Sequence, residues 1–198
     1  CSGSINNDAN ISVNGICRGS GVNENTGGTY NSNNWTSATS LDPNDYLEWS
    51  LTPNSNYQVS LTTLDLRYDR SPSGPSQLEI QIDTGSGFSV IFTDNTVDDL
   101  GENNSGIDLS SFTNITNTIT FRLYAYNASS TAGTFDIEEY TATNKGIIVN
   151  GTVSATCPDN IDFANIQFPN TSQTILQGAT SNVVYSQVYE PTLTDTQF

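Results

Sequence analysis

The chain has 198 residues, no His and no Met, and 21 acidic against 5 basic residues, a formal net charge of -16. Without His, Ser-His-Asp and Cys-His catalysis are excluded, as are most catalytic zinc sites. So strong a negative charge repels phosphate, which argues against nucleic acid and anionic membrane surfaces as partners.

Only 34% of residues are hydrophobic and mean hydropathy is -0.38, which suits a sandwich whose alternate strand residues face water. No apolar run approaches the ~18 residues of a membrane span. The absence of Met is what a processed or excised fragment would show.

In chain order, ISVNGIC over 11–17 predicts a first strand, followed by a turn-rich segment over 18–44. Over 46–51, Leu47, Trp49 and Leu51 alternate with Tyr46, Glu48 and Ser50. A turn at 53–56 precedes two alternating pieces, Tyr57, Val59, Leu61 and Leu64, Leu66, Tyr68. SPSGP at 71–75 is a breaker. Leu78, Ile80 and Ile82 mark a strand, and Phe88, Val90 and Phe92 answer it across a turn at 84–87. Residues 94–106 read as an acidic loop. TITFRLYAY, 118–126, places Ile119, Phe121, Leu123 and Ala125 inward and Arg122, Tyr124 and Tyr126 outward. Phe135, Ile137 and Glu139 share one face of the next strand, and Ile147, Val149 and Val153 close the domain.

This pattern predicts an all-β protein: a jelly-roll-like β-sandwich over 1–153, then a linker and the first strands of a second β module over 154–198. The strands expected in the second module are 161–168 and 182–189. The three cysteines, Cys1, Cys17 and Cys157, allow one disulfide and one free thiol; Cys1–Cys17 and Cys1–Cys157 both stay open. The opening CSGS also invites a lipoprotein reading with Cys1 acylated.

The run over 31–83 and the stretch ITFRLYAYNASSTAGTFDIEEY resemble a β-sandwich module of large secreted or surface proteins from Bacteroidetes, often type IX secretion cargo. The motifs that carry the resemblance are the Arg-Ser-x-x-Gly-Pro turn (Arg70, Ser71, Gly74, Pro75) and the Phe-Arg-x-Tyr strand (Phe121, Arg122, Tyr124). The resemblance implies a modular exoprotein, secreted or at the cell surface, whose partners are neighbouring modules of the same protein and a polysaccharide or cell-surface glycan. Jelly-roll carbohydrate-binding modules often hold a structural Ca²⁺ between an early loop and a late-strand acid. By that resemblance Asp136 or Glu138 would pair with Glu24.

Three constellations follow from the residues. If 64–68 and 118–126 share a sheet, Arg67 and Arg122 share a face with Asp65, Asp69, Tyr124 and Tyr126. Such a face suits a sugar platform, in which rings meet apolar sugar faces and polar groups meet hydroxyls; it equally suits a stiffening salt-bridge ladder. Trp35, in a polar loop, is a candidate exposed contact, whereas Trp49 reads as core. The loop with Asp94, Asp98, Asp99, Glu102 and Asn103 is a second oxygen-rich candidate for Ca²⁺, though it lacks EF-hand spacing. No spacing among the carboxylates picks out a glycosidase pair. The expectation is therefore a non-catalytic carbohydrate-binding or adhesive module, with a purely structural spacer as the alternative.

Overall fold

The computed structural model describes residues 1, 7–27, 29–140 and 146–156. The chain divides into one unit over Cys1–Ser154 and a second over Ala155–Phe198. Cys157 and the strands expected at 161–168 and 182–189 lie outside the described residues.

The described elements are all strands: β1 (Ile11–Arg18), β2 (Asn23–Glu24), β3 (Tyr30–Asn33), β4 (Tyr46–Pro53), β5 (Tyr57–Arg70), β6 (Pro75–Asp83), β7 (Ser89–Asp94), β8 (Glu102–Asp108), β9 (Ile119–Ala128), β10 (Phe135–Ile137) and β11 (Ile147–Ala155). They form two sheets. The first runs β1-β4-β9-β6-β7; the second runs β11-β5-β10-β3-β2, with β8 also paired to β5. The path changes sheet at β1–β2, β3–β4, β4–β5, β5–β6, β7–β8, β8–β9 and β9–β10, a jelly-roll-like course.

Alternation dictates the core. Leu47, Trp49 and Leu51 of β4 and Ile119, Phe121, Leu123 and Ala125 of β9 are buried from the first sheet. Val59, Leu61, Leu64, Leu66 and Tyr68 of β5 are buried from the second, and both sets belong to one hydrophobic cluster. At roughly 1.5–3 kcal/mol for each fully buried large apolar side chain, this shared layer is the main favourable contribution to folding.

The structure differs from the sequence expectation at four places. The turn-rich segment 18–44 contains β2 and β3, which are short and carry Asn and Ser rather than an apolar alternation. The two pieces over 57–68 are one 14-residue strand. The acidic loop over 94–106 gives way to strand β8, whose pairing to β5 is backbone-driven and leaves most of its polar side chains exposed. Finally, Phe88, Val90 and Phe92 do not share a fate. A bulge between Ile80 and Gln81 sets Phe92 opposite Ile80 and Val90 opposite Gln81, so Phe92 packs on the core while Val90 faces water.

The Arg-Ser-x-x-Gly-Pro turn joins β5 to β6 and grips the start of β10. Ser71 N–H donates to Thr134 O (3.1 Å), and Thr134 N–H donates to Ser71 Oγ (2.9 Å). Arg70 donates to the carbonyls of Val97 (2.6 Å), Ser71 and Pro72 (both 3.2 Å). A Cβ at Gly74 would strike Thr134 O, and one at Gly133 would strike the Ser73 backbone, so both glycines are needed for this close approach.

Cys1 and Cys17 form the disulfide, which occupies the sulfur that lipidation of Cys1 would need. No helix among the described residues is long and apolar enough to cross a membrane.

Candidate functional site

The outer face of the first sheet gathers the aromatic and polar side chains. Register sets Tyr46, Tyr124 and Glu79 in one row across β4, β9 and β6, and Glu48, Arg122 and Gln81 in the next. Residues directly opposite one another project to the same side, and the neighbouring rows face the core, so these six face outward. Tyr126 extends the face opposite Gln77.

Arg122 is the centre of this face. Its Nε–H donates to Glu48 Oε2 at 2.8 Å and its Nη1–H to the Tyr124 hydroxyl at 3.4 Å. The guanidinium also lies 4.4 Å from the ring centroids of both Tyr46 and Phe88. Partial burial pulls the Arg122 pKa down, but the hydrogen bond to Glu48 and the nearby tyrosines outweigh it, and the net shift is upward.

Phe88 reaches Arg122 because of the turn before it. Gly85 and Gly87 adopt positive φ of 110° and 98°, and both N–H groups donate to Asp83 Oδ1 (2.7 and 2.9 Å). Phe88 is 37% exposed and Val90 is 53% exposed, leaving an apolar rim beside the arginine. Gln81 Nε2 donates to Glu79 Oε1 at 2.5 Å. Burial, and then the Glu79 charge, raise the Tyr126 pKa, so its hydroxyl keeps its proton at neutral pH.

The expected site residues divide as follows. Arg122, Tyr124 and Tyr126 come together on this face. Tyr124 is only 5% exposed and tilts against Tyr46 at 5.6 Å, so it forms the floor while Tyr46, Phe88 and Tyr126 form the surface. Arg67 is not part of it. It stands on β5 in the second sheet, where Nε donates to Glu138 Oε2 at 2.8 Å and Nη1 to Asn103 Oδ1 at 3.2 Å. The expected shared face of Arg67 and Arg122 does not form, because β5 and β9 belong to opposite layers.

Trp35 is also not a contact residue. It is fully buried, its Nε1–H donates to Ser32 O at 3.0 Å, and its ring meets Phe135 edge-on at 5.7 Å. A polar sequence neighbourhood disguised a core residue, since its donor is satisfied by backbone rather than water.

The expected calcium ligands do not form a shared site. Glu24 pairs with Ser32, which in turn pairs with buried Phe135, whereas Asp136 pairs with Asn31. Glu24 and Asp136 therefore project to opposite sides of the second sheet. Glu138 is held by Arg67. Asp98 accepts the Leu100 N–H at 2.9 Å within its own turn. Asp99 acts on Asp69 as a like charge. Among the described residues, no group of three or more His, Cys, Asp or Glu side chains is placed to hold a metal ion.

The outer face of the second sheet is instead a ladder of polar pairs. Asp65 accepts from Gly106 N–H (2.6 Å) and Asn150 Nδ2 (2.9 Å), and Asp69 stands opposite Asp136. On its inner side, the buried Tyr68 hydroxyl donates to Asp94 Oδ2 at 2.7 Å and accepts from Asn104 Nδ2 at 2.8 Å. Burial and that carboxylate push the Tyr68 pKa upward.

A cleft of about 860 Å³ opens where the edge strands β1 and β11 face each other, walled by Ile11, Val13, Trp49, Leu61, Ile147 and Val149. Trp49 stacks on Phe121 at 5.3 Å, and its buried Nε1–H has no hydrogen-bond partner among the described residues.

Sequence reasoning missed Phe88, and missed Tyr46 and Glu48 as parts of the site. The signal for Tyr46 and Glu48 was present, because they alternate with buried Leu47 and Trp49 and must face outward beside whichever strand pairs with β4. Phe88 carried no such signal, since its side depends on the β6–β7 bulge.

No family model matches the chain, and no curated protein matches it. Among similar solved structures is the carbohydrate-binding module TmCBM61, determined in complex with β-1,4-galactotriose. It covers 73% of this chain and 90% of its own, at 10% identity and a TM-score of 0.31.

Proposed function

We propose that this domain is a non-catalytic carbohydrate-binding or adhesive module of a secreted or cell-surface protein, and that it binds glycan on the outer face of its first sheet. The observation that carries this reading is the half-exposed cluster of Tyr46, Phe88 and Tyr126 around Arg122. Ring faces meet the apolar faces of sugars, and flanking Glu48, Glu79 and Gln81 offer groups for hydroxyls. A rigid, preformed sheet face loses little entropy on binding.

The test is a glycan array probed with the domain in Ca²⁺ and then in EDTA, alongside Phe88→Ala and Tyr126→Ala. Specific binding that both substitutions weaken supports the reading; binding untouched by either places the site elsewhere.

One observation favours the second reading, a structural spacer with no small ligand. Arg122 and Arg67 are both internally ion-paired, as in a ladder that stiffens sheets. Under that reading neither substitution changes any association and no glycan is bound.

A further inference from the structure

Charge bookkeeping on this face restricts what can sit there. Three carboxylates project from it or from its rim, those of Glu48, Glu79 and Asp83, against one guanidinium, that of Arg122. That guanidinium is partly committed: Glu48 takes its Nε–H, Tyr124 takes an Nη1–H, and the Tyr46 and Phe88 rings lie against it. A carboxylate or sulfate on a sugar is recognised by free cationic donors, most effectively a bidentate arginine fork. Here two of the guanidinium's donors are taken and two rings pack against it, which narrows the fork left for an anion.

The other described arginines are engaged elsewhere. Arg18 donates to Ser32 Oγ (2.9 Å) and Asn31 O (2.8 Å) and lies 4.0 Å over the Tyr30 ring. Arg67 is paired to Glu138, and Arg70 is spent on the backbone carbonyls of Ser71, Pro72 and Val97. The chain has only 5 basic residues in total, no His, and a net charge of -16. An anionic sugar would thus meet a face with surplus negative charge inside a molecule whose overall field repels it.

Resting on the glycan-binding reading above, we propose that this face takes uncharged glycan chains and rejects anionic ones: uronates, sialylated chains and sulfated chains. Uncharged sugars need only what the face offers, which is ring surface, tyrosine hydroxyls, and carboxylate and amide acceptors for hydroxyl protons. The discrimination works through repulsion as much as attraction, a device that excludes the wrong partner rather than improving the right one.

The experiment compares matched pairs on one array: dextran with dextran sulfate, methyl-esterified with de-esterified homogalacturonan, and desialylated with sialylated glycans. The intact chain and Glu48→Gln are both measured at low and at high salt, with circular dichroism to confirm folding. The neutral member of each bound pair is expected to bind at least about tenfold more tightly at low salt, and the ratio to shrink as salt screens the face. Glu48→Gln removes one carboxylate and releases Arg122, so it is expected to narrow the ratio severalfold.

Anionic members that bind as tightly as their neutral counterparts overturn this inference while leaving the glycan-binding reading intact. A ratio unmoved by Glu48→Gln overturns the assignment of selectivity to this face. Absence of binding to every glycan overturns the glycan-binding reading itself, and this inference with it.

Discussion

Asp136 on β10 and Asp69 on β5 stand directly opposite each other on the outer face of the second sheet, two like charges in one cross-strand pair. Burial, and then the Asp69 and Glu138 charges, push the Asp136 pKa up to about 6, although the Thr29 hydroxyl donates to Oδ1 at 3.1 Å.

That relationship has a defined sign. A carboxylate whose folded pKa lies above its unfolded value favours the fold when protonated, so its contribution is present below about pH 4 and is lost as pH rises through about 6. Thermal stability is therefore expected to rise as pH falls from 7.5 to 5. Asp136→Asn is expected to stabilise the domain by about 1–2 kcal/mol at pH 7.5, after discounting for solvent screening, and to flatten the pH dependence. Melting curves of both proteins at the two pH values check this. A loss of stability in Asp136→Asn at pH 7.5 would show that the ionised carboxylate holds a partner, a cation included.

The two tryptophans are buried alike but differ in the fate of the indole N–H. Trp35 donates to Ser32 O, whereas the Trp49 donor has no partner among the described residues. Trp→Phe at 35 breaks a buried hydrogen bond; at 49 it removes an unsatisfied donor. The cost at 35 is expected to exceed the cost at 49 by about 1–2 kcal/mol, read from urea unfolding midpoints at unchanged m-value. Equal costs would contradict the assignment.

Arg70 acts through the backbone carbonyls of Val97, Ser71 and Pro72 and makes no contact with the Tyr46–Phe88–Tyr126 cluster among the described contacts. Arg70→Ala is expected to cost about 1–3 kcal/mol by leaving part-buried acceptors unpaired, with glycan binding unchanged once the protein is folded. Arg70→Lys is expected to recover little, since a single ammonium cannot reproduce the guanidinium fork. Thermal melts and the binding assay separate the two effects.

The Cys1–Cys17 bridge spans 16 residues and ties the chain start to β1. Cys17→Ser, or reduction, is expected to lower stability by about 1–3 kcal/mol. Unfolding in the presence and absence of reductant measures it; no change would mean that the start of the chain contributes nothing to the fold.

Much of the architecture is legible in the residues because alternation reports burial directly. Leu47, Trp49 and Leu51, and Ile119, Phe121, Leu123 and Ala125, are buried as their spacing predicts. What escaped was set by pairing rather than pattern. The layer that holds Arg67, the side on which Phe88 emerges, and the existence of β2, β3 and β8 all depend on register and backbone bonding, which a polar stretch does not advertise. The site followed the same rule. Arg122, Tyr124 and Tyr126 were recoverable from one strand, whereas the partners that complete the face lie on β4 and in the β6–β7 turn. Trp35 misled because burial of an indole in a polar loop depends on tertiary packing against Phe135.

The central claim is that the Tyr46–Phe88–Arg122–Tyr126 face binds glycan. Its most direct test is the affinity of Phe88→Ala for a glycan that the intact chain binds, measured by isothermal titration calorimetry. Phe88 is 37% exposed, so its removal leaves the core largely intact. The account predicts at least about a tenfold loss of affinity, the worth of one ring–sugar contact of about 1.4 kcal/mol, with the melting temperature little changed. Unchanged affinity in a folded Phe88→Ala protein would contradict it.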